Sequence, residues 1–199
     1  SRLGSILTTR KKYEESEKCH RRALELRRTL GHADMTVSMG QLATLLQLTN
    51  RPDEALEMLR ECIKIERDRG FPRADVAGSM GDTGQILFKQ GRADEAENAY
   101  KDALAFARER QPQHVGRAII ERDFASMLLK LKRPQDAVEP ARNAVGIFRA
   151  ANSKSLSVSL QLLAQALTES GHEGEAAPVL EELRLLPQPQ PPPAATPSK

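Results

Sequence analysis

The chain has no tryptophan, only 4% aromatic residues and two cysteines. Few aromatic side chains argue against a sheet protein, because strands favour aromatic and β-branched residues. Cys19 and Cys62 provide neither a disulfide framework nor a zinc spacing, and a reduced intracellular setting is expected. His20, His32, His114 and His172 fall one per region, and none pairs with another ligand at a metal spacing. No metal or other cofactor is expected. No apolar run approaches the roughly 18 residues of a membrane span, so no membrane association is expected. The opening "SRLGSILTTRKK" has too short an apolar core for a signal peptide and lacks an initiator Met. It reads as the cut edge of a larger protein, and a cytoplasmic location is expected. Charge of one sign is also scarce: 30 Lys and Arg against 27 Asp and Glu leave a net +3. Nucleic-acid binders carry a stronger and more clustered basic bias.

What is present is charge of both signs, 29% of the 199 residues, and an abundance of helix formers. One stretch, "GSMGDTGQILF", contains Asp82-Thr83-Gly84, the loop triplet of aspartic proteases, and Gly78, Gly81 and Gly84 at every third residue. A protease needs two such aspartates on strand-flanked loops. A phosphate loop needs a strand-to-helix turn. The surrounding pattern supplies neither.

That pattern is an internal repeat. Four stretches align: "NRPDEALEMLRECIKI", "QGRADEAENAYKDALAF", "KRPQDAVEPARNAVGIF" and "GHEGEAAPVLEELRLL". Each places an alanine early in a helix, at Ala55, Ala96, Ala137 and Ala176, which lie 41, 41 and 39 residues apart. An earlier copy has Ser16 in that place, 39 residues before Ala55. Seven residues on stand Ala23, Cys62, Ala103, Ala144 and Leu183. Thirteen residues before the small position stand Leu3, Leu42, Thr83, Phe124 and Leu163. Each is followed by a small residue: Gly4, Ala43, Gly84, Ala125 and Ala164. Four residues further come Leu7, Leu46, Leu87, Leu128 and Leu167. Apolar residues at i, i+4 and i+7 describe amphipathic helices. Pro52 and Pro134 sit where a second helix begins, a place that loses nothing by lacking an N–H. Each unit therefore reads as helix, tight turn, helix. Thr83-Gly84 falls in the middle of a first helix, where glycine lets the paired helix approach. Three glycines there, at roughly 0.5–1 kcal/mol each, make the third repeat the expected most pliable part.

The pattern resembles tetratricopeptide repeats, with a Leu-Gly/Ala pair and an aliphatic in the first helix and two small residues in the second. The repeat length and long second helices resemble the kinesin light chain type. The resemblance covers residues 1 to about 186. It implies an all-α, right-handed superhelical α-solenoid of about five repeats, at about 1–32, 33–72, 73–112, 113–152 and 153–186. The asparagine usual before the first-helix Leu is replaced by Arg2, Gln41, Asp82, Asp123 and Leu162. Beyond the array, "PQPQPPPAATPSK" from 187 to 199 is expected to be disordered or polyproline II.

In this family the first helices line the concave side. The residues expected in a peptide-binding groove are then Gln41, Thr44, Asp82, Gln85, Lys89, Arg122, Asp123, Ser126, Lys130, Gln161 and Gln165. The amides and hydroxyls suit a peptide backbone, and Lys89, Arg122 and Lys130 suit a ligand carboxylate. No catalytic residue is identified, because no nucleophile and base stand in reach of each other, and no small-molecule substrate is expected. In the last helix, Val179, Leu183 and Leu186 face where a sixth repeat would stack, so a weak homodimer through the C-terminal repeat is expected. The basic stretch at residues 10–28 reads as a solvated outer helix. The leading function is a non-enzymatic scaffold for a protein or peptide partner. The second is a regulatory module contacting its own missing domains or another copy. A nucleic-acid-reading helical repeat comes third, since no recurring polar code is visible.

Overall fold

The computed structural model describes residues 2–31, 34–68 and 74–186. Among these residues there are ten helices and no strand. They are α1 (Arg2–Thr9), α2 (Tyr13–Thr29), α3 (Met35–Leu48), α4 (Pro52–Asp68) and α5 (Ala74–Lys89), followed by α6 (Ala93–Arg110), α7 (Val115–Lys130), α8 (Pro134–Ala150), α9 (Leu156–Glu169) and α10 (Glu173–Leu185). Odd- and even-numbered helices pair in sequence, and the pairs stack into the solenoid expected from the sequence. His32 and the Pro-rich tail lie outside the described residues.

One turn geometry joins the two helices of every pair. A residue with positive φ stands five before each small position: Lys11 (58°), Asn50 (59°), Gly91 (78°), Lys132 (59°) and Gly171 (81°). The next residue sends its N–H back to the carbonyl of Leu7, Leu46, Leu87, Leu128 or Leu167, at 2.8–3.0 Å. The left-handed residue itself donates to the carbonyl of Thr8, Gln47, Phe88, Leu129 or Thr168. This is the Schellman pattern, which satisfies the last carbonyls of the first helix while reversing the chain. The conserved leucine spacing in the sequence is thus also the spacing of the turn's acceptor. Only Asn50, Gly91 and Gly171 advertise the turn; the lysines at 11 and 132 adopt it against their side-chain preference.

The small positions are where the second helix meets its neighbours. Ala55, Ala96 and Ala137 are fully buried, as are Ala103 and Ala144 seven residues further on. Ser16 replaces alanine without an unpaired hydroxyl: its Oγ donates to the Gly4 carbonyl at 2.8 Å and lies 2.7 Å from Thr8 Oγ1. The two first-helix glycines that precede a ring four residues beyond the small position are tightly covered. A Cβ on Gly4 would stand 2.5 Å from His20 Nε2, and one on Gly84 2.9 Å from the Tyr100 ring. Gly81 is covered as well, by Ile120 of α7 at 3.0 Å, whereas Gly78 has open space. Cys62 is buried, with its Sγ 3.7 Å from the Thr36 carbonyl, and Cys19 is half-buried.

Consecutive odd-numbered helices pack directly on one another: α3 on α5, α5 on α7, α7 on α9. Consecutive even-numbered helices communicate mainly through long side chains. Closer spacing on the odd side makes that side the concave one. The even side is stitched by ion pairs across repeats: Arg51–Glu17 at 2.8 Å, Arg28–Glu61 at 2.5 Å, Arg133–Glu97 at 2.6 Å, Arg142–Glu175 at 2.8 Å and Arg149–Glu182 at 2.6 Å. From the turn between α5 and α6 the amide of Gln90 donates to Asp53 of α4 at 2.8 Å. The turn arginines also hold the first turn of their own helix, in the pairs Arg51–Glu54, Arg92–Glu95 and Arg133–Asp136.

Candidate functional site

The groove is built from the odd helices, and each contributes residues one turn apart. On α3, Gln41 is half-buried and the exposed Thr44 donates to the Gly40 carbonyl within its own helix at 3.0 Å. On α5, Asp82 is exposed, Gln85 is half-buried, and the exposed Lys89 donates to Gln85 Oε1 at 3.3 Å. On α7, Arg122, Asp123 and Ser126 are half-buried and Lys130 is exposed. Arg122 directs both Nε (2.9 Å) and Nη2 (2.7 Å) at Asp123 Oδ1. The Lys130 ammonium lies 6.0 Å from the Phe88 ring centroid, at the edge of cation–π range.

The seam between α5 and α7 holds the densest charge. Burial against the surrounding protein pushes the Asp82 carboxyl up to about 6, the nearby Asp123 adds to the rise, and Lys89 opposes it. Water reaches Asp82, yet protein lies on most sides of it, as expected at the floor of a concave surface. Tyr100 reaches this seam from α6, an outer helix. It is 2% exposed, its ring stands 5.5 Å from Phe124, and burial followed by Asp123 and Asp82 raises its hydroxyl above the usual phenol range. The sequence reading did not single out this tyrosine; the glycine at 84 beneath its ring was the available signal.

Beneath the groove, Glu121 is fully buried on the far side of α7. Its Oε1 accepts from Arg117 (3.0 Å), Arg108 of α6 (3.2 Å) and Asn143 of α8 (3.5 Å). A buried carboxylate needs such donors to offset lost hydration. This network joins one inner helix to two outer ones.

Ten helices in pairs, one repeated turn and small residues at the pair contacts describe an array that the sequence can be matched to directly. The tetratricopeptide repeat model matches residues 1–68 and 75–150. The chain belongs to the tetratricopeptide repeat family. No curated protein matches it. Among solved tetratricopeptide-like structures, it is similar to a putative kinesin light chain of Podosopora anserina with nearly identical TPR-like repeats. The two share 19% identity and a TM-score of 0.71, over 92% of this chain and 90% of that one. BtubC (BKLC) from P. vanneervenii is 18% identical with a TM-score of 0.79, over 99% and 85%. A Rap protein complexed with competence and sporulation factor is 12% identical with a TM-score of 0.72, over 90% of this chain and 50% of that one. At these identities the likeness is one of fold.

Within this tetratricopeptide array the remaining expected residues sit apart from the central seam. Gln161 and Gln165 are exposed on α9, and Gln165 donates to Glu169 at 2.8 Å. Gln161 lines an open cleft of about 990 Å³ with Lys154, Leu180, Leu183 and Leu186. A second cleft of about 370 Å³ takes in Gln161, Gln165, Leu180 and Leu183. Val179 is half-buried and, like Leu183 and Leu186, packs against the core, but it lines neither cleft. Leu180 stands in its place on the open face, 49% exposed. One residue is about 100° of helix rotation, enough to exchange an inward for an outward side chain. Among the described residues, no group of three or more His, Cys, Asp or Glu could hold a metal ion. No helix among the described residues is long and apolar enough to cross a membrane.

Proposed function

We propose that this chain is a non-enzymatic interaction scaffold that binds a peptide or protein segment along the groove of α3, α5, α7 and α9. Members of its family generally act as protein-interaction scaffolds. The observation that carries the reading is the distribution of polar partners. On the outer side, side chains are committed across repeats by ion pairs. On the inner side, hydrogen bonds run within one helix, as in Thr44–Gly40, Lys89–Gln85 and Arg122–Asp123, while Lys130 meets the Phe88 ring of the neighbouring inner helix at 6.0 Å. The Ser126 hydroxyl and the Gln85 and Gln161 amides, which make no hydrogen bond to a neighbouring inner helix, are available to a ligand backbone. A Rap protein of similar fold was solved in complex with competence and sporulation factor, which supports ligand binding by such an array.

The test is selection from a displayed library of random decapeptides with the full chain. Gln85→Ala combined with Ser126→Ala should weaken selected peptides severalfold and leave the thermal melt unchanged. Unchanged affinity would move the site to the outer face or the loops.

A second reading, weak self-association through the last repeat, is favoured by the apolar lining of the α9–α10 cleft by Leu180, Leu183 and Leu186. Sedimentation at rising concentration tests it. Leu180→Glu with Leu183→Glu should abolish any dimer, and a monomer at all concentrations rules it out.

A further inference from the structure

The groove's cations are already engaged, and its central anion is not. Arg122 places two donors on Asp123 Oδ1, Lys89 donates to Gln85, and Lys130 lies over Phe88. Asp123 Oδ2 receives no donor, and Asp82 accepts no hydrogen bond or ion pair from the described residues. A ligand carboxylate would have to break the Arg122–Asp123 pair and then face Asp82. The expectation that these basic residues await a carboxylate therefore meets an unfavourable arrangement.

A second observation points the same way. Tyr100 is 98% removed from solvent by its 2% exposure, yet its hydroxyl has no hydrogen-bond partner among the described residues. The ring is enclosed, while the hydroxyl oxygen is not among the fully buried atoms left without a partner and so keeps contact with solvent. The ring lies between the two helices of the seam, over Gly84 of α5 and 5.5 Å from Phe124 of α7, the neighbour of Asp123. Gly84 removes the Cβ that would block the ring from this position.

We propose that Asp82, Asp123 and the Tyr100 hydroxyl form a subsite at the centre of the groove for a cationic side chain, the ammonium or guanidinium of a Lys or Arg in the bound segment. The proposal rests on the groove reading above and adds the charge of its ligand. An ammonium offers three donors and a guanidinium five. Asp82, Asp123 Oδ2 and the Tyr100 oxygen supply three acceptors on two helices and a ring between them. A bound cation also relieves the repulsion between the two carboxylates, which the free chain meets with Arg122 on Asp123 and only the more distant Lys89 for Asp82.

The experiment uses the same displayed decapeptide library on the full chain. Selected peptides should share a Lys or Arg at one position. Asp82→Asn should weaken the best such peptide about tenfold, the scale of one charge-assisted hydrogen bond. Tyr100→Phe should weaken it about threefold. Both variants should cost the same peptide with Gln in place of the basic residue clearly less than they cost the basic peptide. Selection of acidic or uncharged residues at that position would overturn the proposal while leaving the groove reading intact. Equal losses for the basic and Gln peptides would also overturn it, since the residues would then act through structure. If no peptide is selected at all, the groove reading falls and the subsite falls with it. Should Tyr100→Phe disturb packing, the exposed Asp82→Asn still decides.

Discussion

The outer and inner helices of this array use charge in opposite ways. Outer helices carry Glu and Arg at positions that meet across the repeat boundary, as in Glu17–Arg51, Glu97–Arg133 and Glu182–Arg149. Inner helices direct the same residue types at their own neighbours, as in Arg122–Asp123 and Lys89–Gln85. The helices are packed closely on the inner side and joined by long side chains on the outer side. The difference teaches that a repeat can tie its units together on one face and keep the other face's polar groups for something else.

Four outcomes would break or sharpen that comparison. The largest effect is expected where the two layers are joined. Glu121→Ala leaves Arg117 without its buried partner and should cost about 3 kcal/mol, read by chemical denaturation. A loss below about 1 kcal/mol would mean the layers are held by apolar contact alone. Next, Ala96→Leu and Ala137→Leu overpack fully buried outer-helix contacts and should each cost about 1–3 kcal/mol. Neutral results at both would place the register elsewhere.

The outer stitches are individually smaller. Hydrogen bonds from Arg133 and then Lys101 hold the Glu97 carboxyl down, at about 2. Its stabilising contribution is complete above the ordinary value of 4.5 and is lost as pH falls toward about 2. A Glu97–Arg133 double-mutant cycle should give about 0.5–1 kcal/mol at neutral pH and less in 1 M salt. The smallest effect belongs to the groove. Asp82 ionises at about 6 in the folded chain against an ordinary 3.8, so the fold binds the extra proton between those values. Stability should therefore fall as pH rises from 3.8 through about 6. Asp82→Asn should remove that slope and stabilise the protein slightly above it, by less than about 1 kcal/mol because water reaches the group. An unchanged slope would put Asp82 in ordinary solvent.

The architecture was legible because it rests on backbone and on small residues. Alanines at repeat spacing mark helix contacts, and Pro52, Gly91 and Gly171 mark turns, before any coordinates are seen. The lysines at positive φ were not legible at 11 and 132, since the turn there is imposed by its hydrogen bonds and not by side-chain preference. The stitching was half legible: a basic residue at 12, 51, 92 and 133, with an acid three later, repeats with the alanines. What it joins across repeats depends on the distance between outer helices, which no spacing states. The groove residues fell on inner helices, as the register implied. Their pairings did not follow from sequence, because Arg122 had several possible partners and chose its neighbour. Tyr100 was hidden by belonging to an outer helix, and the exposed Leu180 was passed over beside Val179, one step of rotation away.

The contact of Gly84 with the Tyr100 ring constrains how this molecule could have come to be. A methyl added at 84 collides with the ring at 2.9 Å, and a smaller side chain at 100 opens a void. Each step alone is unfavourable, yet the second repeat carries both changes together, with Ala43 and the buried Leu59 in the corresponding places. The first repeat repeats the glycine-and-ring combination as Gly4 and His20. The two positions are therefore sterically coupled within this chain. In descendants of this sequence, loss of the glycine should be found only where the ring has already gone.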